Sequence, residues 1–297
     1  MPTAVSRFHA AVLLPVFAAL LATGAPAAGA EVADTVCGTP LSAGEIETIE
    51  QLSDTSSLTG SSMRRLERAV DNHRQITEIL VRHGDRRGVL ALGLNGVEYA
   101  AVMPLQRDPG AFANPEWAHR ISLDLLSRFL DNVHAEFSGA TVAPHWANYF
   151  ALARQCELSA ARVAMAGYNA HLTVDLSYAV AAVGSTADNA ADYFRIVDAI
   201  AQQGPLIIDL TKRVYGGDLG PLWRFYFVGE GLDAVLGAGV ATGPLLRLAD
   251  AGANVVIFGN GLALRDPALA PAVRTEIDLL WPAADTAFAV LSANGGL

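Results

Sequence analysis

Residues Ala164 to Tyr178 read Ala-Met-Ala-Gly-Tyr-Asn-Ala-His-Leu-Thr-Val-Asp-Leu-Ser-Tyr, an apolar helical sequence crossed by a band of polar side chains. At about 100° per residue, Tyr168, His171, Asp175 and Tyr178 fall within one arc of roughly 80°. A helix made mostly of Ala, Leu, Val and Met is a buried helix. Taking an imidazole and a carboxylate out of water without partners costs several kcal/mol. The segment is therefore either a structural hydrogen-bond network or a functional site. In both cases other helices must bring polar groups to it.

The rest of the chain is patterned for helices. Ser42-Ala-Gly-Glu45 matches a capping box, with Ile46, Ile49 and Leu52 following at helical spacing. Residues 53–61 read as a loop. Met63, Leu66, Val70, Ile76, Ile79 and Leu80 mark a second amphipathic helix, broken at His83-Gly-Asp-Arg86. Gly88 to Met103 is nearly apolar with Glu98 inside it, and Pro104 predicts its end. Asn114-Pro115-Glu116-Trp117 combines a cap, a first-turn proline and a first-turn acid, and Ile121, Leu125, Phe129, Val133 and Phe137 form the stripe that follows. Pro144 opens a helix through Cys156, Ser159 caps the polar-banded segment, and Thr186 caps the helix carrying Tyr193, Ile196, Val197 and Ile200. Gly204-Pro205 and Gly216-Gly217 read as turns, and a last helix runs from about Pro271 to Leu291. Strand alternation is scarce and no fixed repeat occurs. The expected fold is an all-α, single-domain multi-helix bundle with a Gly-rich apolar C-terminal third.

The N-terminus reads as a signal peptide. Arg7 precedes the apolar run Ala10–Ala22, and Ala28-Gly29-Ala30 suits a signal peptidase. That run is shorter than the roughly 20 residues a spanning helix needs. Residues 1–30 are expected to be removed, leaving residues 31–297 as one helical domain, secreted or held in the cell envelope, with no transmembrane segment after cleavage. An uncleaved anchor is the alternative. The domain loses only Arg7, so its net charge moves from −10 to −11. Lys212 is its only lysine. An acidic chain of this kind lacks the basic patch that a nucleic-acid partner requires. Two cysteines in an exported chain, Cys37 and Cys156, suggest one disulfide, with two buried thiols as the alternative.

His171 and Asp175 are four residues apart, so they stand one above the other on a helix. Such a pair can ligate one divalent metal ion, zinc being one possibility, or form one ion pair in which Asp175 orients the imidazole. A zinc site needs three or four ligands. Glu98, inside an apolar segment, and Asp124, near the stripe of its helix, are candidates to complete it. Glu116 with His119, His145-Trp146, Asp192 and Asp198 read as ordinary helix-start or surface polar residues. No Gly-x-Ser-x-Gly elbow and no His-Glu-x-x-His motif occurs. Leu232–Gly243 is similar to a glycine-rich dinucleotide loop, but no acidic residue closes the Val-Val-Ile-Phe258 run to hold a ribose. Glycine in segment 229–264 reads instead as helix packing and helix ends.

Ala166-Gly-Tyr-Asn-Ala-His-Leu-Thr-Val-Asp-Leu176 resembles the Gly-x-Asn-Ala-His-Ile-x-x-Asp-Leu signature of an actinobacterial family, the domain of unknown function numbered 5995. Phe112-Ala-Asn-Pro-Glu-Trp117 with Leu123-Asp124 resembles its Phe-x-Asp-Pro…Leu-Asp segment, and Asp192-Tyr-Phe-Arg-Ile-Val-Asp198 its following helix. Glu98 falls where that family has Thr-Glu, with Val97 in place of the Thr. The likeness covers about residues 80–205 and implies a helical fold without implying an activity. A more distant similarity is to zinc-dependent phospholipase C and S1-type nucleases, whose metal helices carry His-x-x-x-Asp. Their N-terminal Trp ligand and further His ligands have no counterpart here.

Two functions are consistent with these residues. One is a metal-dependent ester or phosphoester hydrolase in which Glu98, Asp124, Asn169, His171 and Asp175 form the site, with His171 and Asp175 on the metal. The other is a non-catalytic envelope protein that binds a small-molecule or lipid-like ligand, or an apolar partner, in its Ala/Gly/Val-rich interior. Asn169, His171 and Asp175 would then only pin helices together.

Overall fold

Side-chain caps set four of the helix starts. Ser42 and Glu45 form a reciprocal box at α1 (Ala43–Ser53). Ser61 accepts from the Arg64 amide at α2 (Ser62–His83), which Gly84 closes in the left-handed region at φ 65°. The structure, a computed structural model, describes residues 36–220 and 242–297, with side chains throughout except at 242–251. These residues belong to one compact unit, Val32–Leu297. The signal-peptide reading of residues 1–30 and most of the Leu232–Gly243 glycine motif lie outside the described residues.

The described chain is helical, with no strand among its residues. After α2 a buried 3-10 turn, Arg86–Gly88, leads into α3 (Val89–Val97), a π turn (Glu98–Val102) and α4 (Met103–Arg107). Then come α5 (Pro115–Ser138), α6 (Pro144–Ala153) and α7 (Ala160–Asn169). A second π turn (Ala170–Asp175) joins α7 to α8 (Leu176–Ala182). The remaining helices are α9 (Ala190–Ala201), α10 (Gly204–Tyr215), α11 (Thr242–Ala263) and α12 (Ala270–Ala293).

Two sequence expectations change. Pro104 does not end its helix: the π turn before it places an extra residue in the ladder, and the chain continues helical to Arg107. The widened turn accommodates a ring that would otherwise clash with the preceding turn. Gly204-Pro205 is a helix start, with the proline in the first turn where its missing N–H is harmless.

The long helix α5 runs through two apolar clusters. Its C-terminal two-thirds, with Phe129, Val133 and Phe137, packs with α2, α3, α6 and α7 around Trp146, Tyr149 and Phe150. Its first turns, Trp117, Ala118 and Ile121, pack with α8, α9 and Phe258 of α11. Helix α7 crosses α3 closely at Gly167, where an added Cβ would stand 2.9 Å from Leu90 and 3.1 Å from Tyr149. The run Arg86–Arg107 is long and apolar enough to cross a membrane, yet 56% of its apolar window is buried inside this fold.

Cys37 and Cys156 form the expected disulfide. Cys156 lies just beyond the end of α6, not within it. The same corner is held by a polar knot that the sequence shows only as a helix break. Asp85 and Arg87 form a fully buried ion pair at 2.6 Å. Arg86 donates to the Gln155 and Leu158 carbonyls at 2.9 and 2.7 Å. In the chain-entropy account, a crosslink spanning 119 residues contributes nearly 5 kcal/mol. The reduced protein, or the Cys37→Ser/Cys156→Ser variant, should therefore melt about 5–15 °C lower than the oxidised protein. A melting temperature unchanged within about 2 °C on reduction would show that the Asp85–Arg86–Arg87 knot alone holds this corner.

Candidate functional site

Both π turns carry the residues singled out from the sequence. Glu98 begins one, and its carbonyl accepts from the Met103 amide five residues on. His171 lies in the other, and its carbonyl accepts from the Leu176 amide. A π turn costs hydrogen-bond quality and recurs at functional sites, because one inserted residue re-aims the side chains after it.

That insertion breaks up the single polar arc drawn on a regular helix. Tyr168 and His171 line an internal cavity. Asp175 turns instead to α6, where Oδ1 accepts from the Nε2 side of His145 at 3.0 Å and Oδ2 accepts from Trp146 Nε1 at 2.9 Å. Tyr178 packs by Val174, Ile277 and Trp281, with the Arg128 guanidinium 6.0 Å above its ring. A His171–Asp175 ion pair, one of the two arrangements the spacing allows, is not formed. Asp175 orients the imidazole of His145 from another helix, and both its oxygens are used.

Glu98 is answered in the same way. His73, with no solvent exposure, places Nδ1 2.8 Å from Glu98 Oε2. Its ring meets Phe129 edge-on. Its Nε2 is buried with no hydrogen-bond partner.

His171 stands between these pairs. It is 6% exposed, and its Nδ1 is buried without a partner. Burial is the main cause that lowers its pKa to about 4; Asp175 opposes this, while His73 and His145 push the same way. The imidazole is therefore neutral at physiological pH.

The cavity these groups face has a volume of about 570 Å³. Most of its wall is aliphatic, including Leu94, Val97, Ile121, Leu125, Val197 and Ile208. Among the described residues that line it, the ionisable ones are Glu98, His171, Tyr168 and Tyr193, and no Lys or Arg is present. The Tyr168 hydroxyl is buried without a partner, and burial raises its pKa. Leu172, Gln202 and Pro205 line the cavity and are exposed, so the cavity reaches the surface where the second π turn meets the start of α10.

The other predicted site residues lie elsewhere. Asp124 pairs with Arg128 at 2.7 Å on a part-exposed face and is not in the cavity wall. Asn169 straps helices together, donating to the Trp281 carbonyl at 2.9 Å and accepting from Thr173 Oγ1 at 2.8 Å. Asp192 accepts from the Ala113 and Asn114 amides at 2.9 and 2.8 Å, ahead of α5. A metal held by His171 and Asp175 does not fit this arrangement. Asp175 is fully engaged by α6, and no group of three or more His, Cys, Asp and Glu among the described residues is placed to hold an ion.

Two site residues escape the sequence reading, His73 and His145. His73 did leave a signal. It fills the stripe of Leu66, Val70, Thr77 and Leu80 at helical spacing, a buried face on which a histidine needs a partner. His145 left none, being one polar residue at a helix start.

Among comparisons with known proteins, the family described as "Family of unknown function (DUF5995)" matches residues 66–227, more than half of the chain. That stretch contains His73, Glu98, His145, His171 and Asp175. No curated protein and no solved structure matches the chain.

The buried pair predicts strong coupling. His73→Leu, which strands Glu98, should destabilise by about 3–5 kcal/mol. The double variant His73→Leu/Glu98→Leu should lose clearly less than the sum of the single losses in urea unfolding. Additive losses would show that the pair has no mutual energy.

His171 predicts a pH dependence. Its folded pKa of about 4 lies below the unfolded value near 6.5, so the unfolded chain binds the extra proton between them. Stability present above pH 6.5 is thus lost as pH falls toward 4, by about 3 kcal/mol in all. His171→Leu should flatten the urea-midpoint profile between pH 6.5 and 4.5. Parallel profiles for the two proteins would contradict the assignment.

Proposed function

The chain belongs to the family of unknown function (DUF5995), and on that premise we propose that it is an exported helical protein that holds one lipid-like small molecule in its internal cavity. The observation that carries this reading is an aliphatic cavity of about 570 Å³ with a few polar groups. Ligand sites typically span about 300–1,000 Å³, are mostly apolar and carry few convergent polar groups. Burial of apolar ligand surface supplies the affinity, at about 25 cal/mol per Å² before the costs of association. The exposed rim at Leu172, Gln202 and Pro205 supplies a way in.

Export is supported by the Arg7–Ala30 signal pattern and by a disulfide that an oxidising compartment maintains. Metal-assisted hydrolysis is not part of the proposal, because Asp175 gives both its oxygens to α6. His145, Trp146 and Asp175 here brace the wall behind His171.

Nile red, whose emission rises and shifts to the blue in apolar surroundings, should bind the protein with a stoichiometry near one and micromolar affinity. Val197→Trp and Ala201→Trp, which fill the lining from α9, should each weaken that binding at least tenfold while leaving the melting temperature within a few degrees. Binding of equal strength in both filled variants would place the dye elsewhere and remove the basis of the proposal.

A further inference from the structure

We infer that the ligand is an apolar amine, a long-chain or ring-based hydrocarbon with one protonated amino group, seated with that group on the free oxygen of Glu98. The inference rests on the cavity reading above and names the head group, which that reading leaves open.

Glu98 is the one acidic residue in the cavity wall among the described residues. Its side chain keeps 11% exposure, and its Oε2 lies 2.8 Å from His73 Nδ1. Oε1 makes no hydrogen bond to the described residues and is not sealed off from solvent, so it is the oxygen left for the cavity.

His73 gives Glu98 a hydrogen bond but is poorly placed to give it a counter-charge. A second proton on that ring would sit on Nε2, which is buried with no partner. A buried N–H that nothing accepts is costly, and more so on a cation. The geometry therefore suits a neutral His73 that donates through Nδ1, and the negative charge of Glu98 is left for another group to balance. No described lining residue does so: the wall has no Lys or Arg, and burial keeps His171 uncharged. A ligand ammonium supplies both things that are missing, an N–H for Oε1 and a positive charge beside it. The formal net charge of −10 on the whole chain also draws cations rather than anions toward the cavity entrance.

Other head groups fit less well. An ionised carboxylate or phosphate would meet the like charge of Glu98 in an apolar space without a cation. An alcohol can donate to Oε1 but brings no counter-charge. A plain alkane leaves Oε1 unpaired.

The test is displacement of Nile red at pH 7 by decylammonium, 1-decanol and decanoate, in wild type and in Glu98→Gln, which keeps the shape of the side chain and removes its charge. The expected result is that decylammonium displaces the dye from wild type at least fivefold more strongly than either other chain, and that this margin over decanol is lost in Glu98→Gln. A smaller margin over decanol in wild type, or a preference for decanoate, would overturn the head-group inference and leave the cavity reading standing. A margin that survives in Glu98→Gln would overturn the assignment to Glu98. The wild-type margin should also persist in about 0.5 M NaCl, where surface charges are screened. Its loss there would trace the preference to the acidic surface and overturn the inference even if Glu98→Gln folds poorly. Failure of the dye and of every chain to bind wild type would instead sink the cavity reading itself.

Discussion

A carboxylate taken out of water has to be given hydrogen bonds, and this fold meets that demand twice. Asp175 and Glu98 each lie on a helix whose neighbouring residues are apolar, and each is answered by a histidine from a different helix. Asp175 draws in α6 through His145 and Trp146, and Glu98 draws in α2 through His73. Losing either partner would leave a buried charge, so the pairs fix which helices sit beside the two π turns. The apolar contacts would be satisfied by several arrangements of helices; these hydrogen bonds by far fewer.

The π turns and the cavity follow from one another. A regular helix from Ala160 to Ala182 would keep Tyr168, His171, Asp175 and Tyr178 in one row. The inserted residue splits them, so that one helix can brace α6 with Asp175 and still face the cavity with His171. The other wide turn carries Glu98, which lines the same cavity. An aliphatic space of about 570 Å³ is left open to the surface rather than packed with side chains. A fold that retains such a space while burying unpaired histidine nitrogens around it is shaped for something other than maximal packing.

The sequence made the scaffold legible and half of the site. Caps at Ser42, Asn114 and Ser159 place helix starts, because a side-chain oxygen meeting free amides is a local event. Glu98 and His171 stand out as polar residues in apolar runs. Their partners do not, because His73–Glu98 and His145–Asp175 are contacts across 25 and 30 residues that no local pattern records. The π turns are equally silent. One extra residue per turn changes no composition, and a 3.6-residue projection absorbs it as a small error in angle. Asp124 shows the opposite failure. It sits beside an apolar stripe, but at that position an Arg four residues on reaches it, and a part-exposed pair is the cheaper arrangement.

The three histidines near the cavity differ in what holds them, and that difference bears on their roles. His73 is fixed by Glu98 and His145 by Asp175, so both rings are committed to the framework. His171 alone makes no hydrogen bond to the described residues, although it is buried. Burial keeps it uncharged, which removes the largest cost of leaving it unpaired. A framework residue in that position would be replaced by Leu or Phe at a gain in stability. His171, lining the cavity, is the one of the three that no hydrogen bond to the described residues commits to the framework.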